Sequence, residues 1–370
     1  MDFSYSQDQQ ALIGLAEQIL TEKATHESIR AIERGGGLRF DAALWKALGE
    51  AGLVGVAVPE EFGGVGMGFL ELGAILEKVG KTVAPVPYLE TTVLAGMPIA
   101  EFGTAAQKQA LLPGIASGEL IGTAAILEEL REPEDPALTA RAEGAGHVLD
   151  GTKIAVRAAQ IAGKLLVPAR TDKGVTVFLV DRDAEGVSLT ELTTTSGQPE
   201  ADVHFNGVRV SADDILGDLD GGAAIVERIV LLGNAALSAF AAGICDEALA
   251  MTAEYTKTRK QFDQPIAMFQ AVGHRVADAY IDAEAVRLAA RQAAWCIGAG
   301  RPSAEAVAVA KYYASAAGDR IVHAAQHLHG GVGVDRDYPL HRFFLASRHL
   351  QLTFGGETRH LQDLGRLIAG

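Results

Sequence analysis

Residues Gly221 to Gln270 constrain the fold more than any other stretch: GGAAIVERIVLLGNAALSAFAAGICDEALAMTAEYTKTRKQFDQPIAMFQ. Between Ala223 and Thr256 there is no proline, and alanine and leucine dominate, so the spacing predicts one long helix. Gly221-Gly222 marks its start. Arg259 to Pro265 ends it, because proline cannot continue a helix and disfavours helical backbone in the residue before it. A second helix is expected from about Ala267. Polar groups stand at both ends. Glu227 and Arg228 lie among Ile225, Val226, Ile229 and Val230, and Arg259, Gln261, Phe262 and Gln270 surround the break. At about 1.5 Å per residue, Glu227 and Arg259 stand roughly 45–50 Å apart. Within one chain they cannot serve one site. Either there are two sites, or a second chain brings one end to the other.

A chain of 370 residues exceeds one ordinary core, so two or three subdomains are expected. A hydrophobic content of 48% rich in alanine and glycine reads as globular, soluble and helix-rich. The net charge of −15 argues against nucleic acid or an anionic membrane as partner. Cys245 and Cys296, the only cysteines, imply a reducing compartment with no disulfide framework and no thiolate metal site. The first residues, MDFSYSQDQQ, are neither basic nor apolar enough for an export signal, and no apolar run is expected to span a membrane. The expected location is cytoplasmic.

Taken in order, residues 1–125 read as a helical domain. Helices are expected over Gln10–Glu22, Phe40–Ala51, Phe69–Val79 and Thr104–Leu112, the last stopped by Pro113-Gly114, with VPEEFGGVGMG a loop. Residues 126–216 read as a β-domain: HVLDGTKIAV, KLLVPART, GVTVFLVDRD and DVHFNGVRV suggest strands, with turns at Glu185-Gly186 and Asn206-Gly207. Residues 217–370 return to helices, Ala223–Thr256, Ala267–Gly298, Ser303–His327 and Arg342 onward, which fit a four-helix bundle. The fold class is α+β, mostly α.

These segments carry a resemblance. RKQFDQPIAMFQ resembles the RxxFGxxIxxxQ turn of the acyl-CoA dehydrogenase family, whose arginine and glutamine reach across a subunit interface to the neighbour's FAD. LWKALGEAGLVGVAVPEEFGGVG, LEKVGKTVAPVPYLET and GTAAQKQALLPGIASGELIG follow that family's N-terminal helical domain in order and spacing. HLHGGVGVDRDYPLHRFF resembles its QxHGGxGxxxxYPxxR segment, with His327 where glutamine is usual and with Gly330 and Gly331 kept. The resemblance covers essentially the whole chain. It implies an N-terminal helical domain, a middle β-domain and a C-terminal bundle that mediates oligomerisation. It also implies FAD as cofactor, an acyl-CoA thioester as substrate, and an electron-transfer flavoprotein as acceptor.

The chain departs from that family where its own flavin would sit. The TEPxxGSD-like loop is replaced by ILEELREPEDPALTARA, and the aromatic and hydroxyl pair after GTK by Ala155, Val156 and Arg157. An alanine cannot replace an aromatic's contact area. The turn that often carries the catalytic glutamate reads LTFGGET, with Gly355 at the aligned position and Glu357 two residues on.

Three readings follow. In the favoured one, the chain is half of a heteromeric α2β2 acyl-CoA dehydrogenase of the type that acts on steroid side-chain CoA esters. It lends Arg259, Gln261, Phe262, Gln270, His327, Gly330 and Gly331 to an FAD held by a companion. In the second, it is a self-sufficient homo-oligomer with Glu227 as base, VERIVLLG resembling members that take the base from this helix. The bland reading of Glu227 is a carboxylate favouring the helix dipole. The third is a flavin-free scaffold or acyl-thioester binding subunit. His323, His327 and His329 carry no carboxylate or cysteine pattern, and no metal is expected.

Overall fold

The computed structural model describes residues 5–369. It opens with α1 (Gln7–Lys23), α2 (His26–Arg34) and α3 (Ala42–Glu50). A Ser6–Gln9 capping box starts α1, and the Asp41 side chain accepts from Leu44 N at 2.9 Å at the start of α3. Next come α4 (Phe69–Thr82), a π-helix over Leu89–Gly96, α5 (Met97–Phe102) and α6 (Ala105–Ser117). The strands are β1 (Gly122–Ala124), β2 (Thr139–Glu143), β3 (Gly146–Arg157), β4 (Lys164–Arg170), β5 (Val175–Asp181), β6 (Val187–Leu192), β7 (Glu200–Val210) and β8 (Ile215–Leu216). Then follow α7 (Gly222–Thr258), a hairpin of β9 (Lys260–Gln261) and β10 (Gln264–Pro265), α8 (Gln270–Gly298), α9 (Ala304–His329), α10 (Leu340–Leu352) and α11 (Glu357–Ala369).

The chain divides into two compact units. One comprises the described residues through Arg30, Gly68–Ala84 and the chain from Asn234 onward. Within it, α4 crosses the C-terminal part of α7 where a Cβ on Gly80 would meet Phe240 O at 2.1 Å and one on Gly243 would meet Glu77 O at 1.9 Å. Glycine at both positions lets the two backbones touch. The other unit, Ala31–Met67 and Pro85–Gly233, holds the eight-stranded sheet in the order β6-β7-β3-β2-β4-β5-β8, with β1 parallel to β4. Leu149, Leu165, Phe178, Val203 and Phe205 fill its core. Alternate residues of β4 and β5, among them Leu165, Val167, Phe178 and Val180, face this core, and the residues between them are buried too, so both strands are covered on both faces and read as continuous apolar runs.

Four expectations need correcting. Pro113 does not stop α6, which continues to Ser117 and ends at Gly118 with φ +79°. Burial of Leu112 and Ile115 on either side outweighs the hydrogen bond that proline forgoes. Asn206-Gly207 joins no strands. Gly207 is the extra residue of a bulge inside β7, where the register against β3 shifts between Leu149 and Asp150, and its N–H donates to Asp150 Oδ1 at 2.8 Å. The helix after Arg342 is two helices, because Phe354 and Gly355 adopt φ +55° and +98° and turn the chain. Finally, α7 is long and apolar enough to cross a membrane, yet 78% of its most apolar window is buried, as in a core helix.

Candidate functional site

Arg259 lies one residue beyond α7, where its carbonyl accepts from Ile266 N at 2.9 Å and so closes the hairpin. The two residues between β9 and β10, Phe262 and Asp263, both have positive φ, +52° and +65°. A two-residue hairpin with both central residues left-handed is ordinarily built from asparagine and glycine. A phenylalanine there is strained, and Phe262 is 88% exposed, touching Phe269 edge-on at 6.2 Å between ring centroids. The fold gains little from this ring. Arg259, Gln261 and Gln270 are exposed as well, and Gln261 Nε2 donates only to the neighbouring Lys260 carbonyl, at 2.7 Å.

The second glycine-rich turn meets the same end of the bundle. Tyr255, one turn before Arg259, stacks on His329 with centroids 4.3 Å apart, and His329 Nε2 lies 3.2 Å from Tyr338 Oη. His329 is buried, and burial lowers its pKa, while its Nδ1 sits 2.7 Å from Ala325 O. This aromatic cluster fixes the end of α9, from which His327, Gly330 and Gly331 emerge exposed. Gly330 has φ +61°, and a Cβ on either Gly330 or Gly331 would have nothing within 4 Å. Gly333 differs: its Cβ would meet Gln326 O at 2.8 Å. The chain itself explains the absence of a side chain at Gly333, but offers no steric reason for one at Gly331.

In the sheet unit, the segment after GTK is bent by a register shift between Lys153 and Val156, with Ala155 at φ +46° and Ala158 at +55°. Ala155 N donates to Asp202 Oδ1 at 2.9 Å. The bend delivers Arg157 to two buried carboxylates: Nε donates to Glu90 Oε1 at 2.7 Å and Nη1 stands 3.6 Å from Glu200 Oε1. Glu90 comes from the buried π-helix, a helical form frequent at functional positions. Beside this cluster remains a void of about 10 Å³ bordered by Arg39, Pro87 and Gln198, no larger than a water needs. Residues 126–138 contain no serine or threonine. That loop is closed by Glu128, which accepts from Ala137 N at 2.6 Å and from Lys153 Nζ at 2.5 Å. Burial pushes Lys153 down to about 8, against the opposing pull of Glu128.

Glu227 lies in the sheet unit and the hairpin in the other. It is exposed on α7, while Ile225, Val226 and Ile229 are buried and Arg228 pairs with Glu101 at 2.9 Å. Glu357 begins α11 and is exposed. Among the described residues no group of three His, Cys, Asp or Glu side chains could hold a metal. Sequence reasoning had no signal for Tyr255 as a support, nor for Glu90 and Glu200 as partners of Arg157, which are brought together only by the fold; Tyr338 stood in the glycine-rich motif as its tyrosine and could have been found there.

Three models match in order: Acyl-CoA dehydrogenase, N-terminal domain, over residues 6–119; middle domain, over 131–208; and C-terminal domain, over 220–368. Acyl-CoA dehydrogenase FadE27 of Mycobacterium tuberculosis is 39% identical across 100% of this chain and 99% of its own length. The ChsE4-ChsE5 complex from Mycobacterium tuberculosis contains a chain that superposes with a TM-score of 0.94 at 40% identity, covering 100% of this chain and 99% of that one. The Tcur3481-Tcur3483 steroid ACAD variant gives 0.90 at 41%, over 98% of both chains.

Proposed function

The chain belongs to the acyl-CoA dehydrogenase family, oxidoreductases acting on a CH–CH pair, and we propose that it is the cofactor-lending subunit of a heteromeric member. The observation that carries this reading is the buried Arg157–Glu90–Glu200 cluster. Arg157 lies in the segment after GTK where the family carries its aromatic and hydroxyl pair, and its guanidinium is committed to two carboxylates. With Ala155 in place of the aromatic, these residues do not fit a ring held by the chain's own sheet.

The groups that would reach a neighbour's cofactor are largely intact, and they are exposed. Arg259 supplies a planar fork that matches a pyrophosphate, and Gln261 and Gln270 supply amide donors beside it. Gly330-Gly331 lets phosphate approach the backbone, His327 offers one imidazole nitrogen where glutamine is usual, and the Phe262 ring offers a flat apolar face. FAD, when bound, accepts the β-hydrogen of the acyl thioester as hydride. The chain's own residues hold and neutralise its diphosphate end, and the base that takes the α-proton is assigned to the companion.

The FadE27 and ChsE4-ChsE5 relatives, and the steroid enzyme named above, support a companion acyl-CoA dehydrogenase chain and a steroid side-chain CoA ester as substrate. By resemblance the electron acceptor is an electron-transfer flavoprotein, and the two unpaired cysteines support a reducing, cytoplasmic location.

The test is the visible spectrum and native mass of the chain purified alone, then co-expressed with an acyl-CoA dehydrogenase-like companion. A colourless chain that becomes yellow only with its companion is expected. Arg259→Ala should then weaken flavin retention about 10- to 100-fold, the loss of one charge-assisted contact. A yellow homo-oligomer that loses activity on Glu227→Gln would overturn the proposal.

A further inference from the structure

Tyr255 touches both motifs of the exposed site. Through its backbone it sets the hairpin: its carbonyl accepts from Arg259 N at 2.8 Å, and Arg259 O in turn accepts from Ile266 N at 2.9 Å. Through its ring it sets the glycine turn, stacking on His329 with 24° between the planes and 4.3 Å between centroids. His329 is the last residue of α9, so Gly330 is its covalent neighbour.

His329 is held on its other sides as well. Ala325 O lies 2.7 Å from Nδ1, and a carbonyl only accepts, so Nδ1 carries a proton. In the neutral ring Nε2 then accepts from the Tyr338 hydroxyl, 3.2 Å away. Tyr338 ends the loop that begins at Gly330, and this contact closes the loop at its base. Gly331, Val332, Val334 and Asp335 within it are exposed, so the loop has little packing of its own to fix it.

We propose that Tyr255, His329 and Tyr338 are positioning residues for the cofactor site: a clasp that holds the Arg259 hairpin and the Gly330-Gly331 turn as one preassembled surface. This rests on the reading above, in which both motifs meet one FAD held by a companion chain. The clasp touches no reacting atom and acts through Arg259 and the glycine pair. Without it, hairpin and turn must each be ordered as the diphosphate binds, and the apparent affinity falls by the fraction of molecules in which both are in place. A stacked pair of rings suits this task because it fixes the angle as well as the spacing between two helix ends, which an aliphatic contact does not.

The FAD affinity of the chain co-expressed with an acyl-CoA dehydrogenase-like companion tests this, by titrating FAD into the flavin-stripped complex. Tyr255→Leu keeps the helix but removes the ring, and should raise the FAD dissociation constant about 3- to 10-fold with the native mass of the complex held. Activity lost at limiting FAD should return when FAD is in excess. Tyr255→Phe keeps the stack and should restore the affinity. Tyr338→Phe deletes one oxygen and should give a smaller rise, about 2- to 5-fold. With Arg259→Ala shown to weaken FAD, an unchanged affinity in Tyr255→Leu, or an equal loss in Tyr255→Phe and Tyr255→Leu, would overturn the clasp alone. If Arg259→Ala leaves FAD affinity unchanged, the cofactor-lending reading fails and the clasp falls with it. Should Tyr255→Leu not assemble, Tyr338→Phe decides, and an unchanged affinity there overturns the proposal.

Discussion

Arg157 is the cation for two buried carboxylates, Glu90 and Glu200, so its loss strands both. Arg157→Ala should cost about 3–5 kcal/mol of stability, the penalty for breaking a buried ion pair from one side, read by chemical denaturation. Phe262 predicts the opposite. Phe262→Gly relieves a left-handed phenylalanine and should hold or raise stability by about 1 kcal/mol, while the flavin content of the assembled enzyme falls. A residue whose removal helps the fold and harms the cofactor is there for the cofactor. What was readable at this scale follows the same divide. The hairpin arginine, the glutamines and the glycine pair stand in contiguous motifs. Glu90 comes from 67 residues before Arg157, and no local pattern announces a partner so remote.

Elements were legible where periodicity ran long and failed where a single residue type was read as punctuation. The uninterrupted alanine and leucine of α7 fixed its type, and the helix is slightly longer than expected, Gly222–Thr258. Pro113 and Asn206-Gly207 were read as breaks because each usually is one. Burial held α6 through the first, and a bulge absorbed the second into β7. The contact of α4 with α7 was invisible in sequence, since glycine inside a helix signals weakness before it signals a crossing. Gly243→Ala should push the two helices apart, costing on the order of 1–3 kcal/mol or more, because its Cβ would meet backbone rather than a side chain able to move. Gly331→Ala, with nothing within 4 Å, is the matched control and should leave stability unchanged.

At the scale of the whole molecule, the order helical, sheet, helical was readable because several separate segments agree in sequence and spacing. The proposed division of labour was readable only as an asymmetry of motifs: those that the resemblance assigns to a neighbour's cofactor are largely kept, and those that it assigns to the chain's own flavin are replaced. The structure adds the material of the replacement, a charged cluster rather than an empty cleft. That difference bears on history. Going back to a self-sufficient flavin site would mean removing Arg157, Glu90 and Glu200, and most single steps leave a buried charge unmatched. The intermediate sequences would be poorly folded before any regained a cofactor. The same unmatched charges stand on the outward path, so on the proposed reading the three residues change together or not at all, and a chain that has made the change keeps its companion.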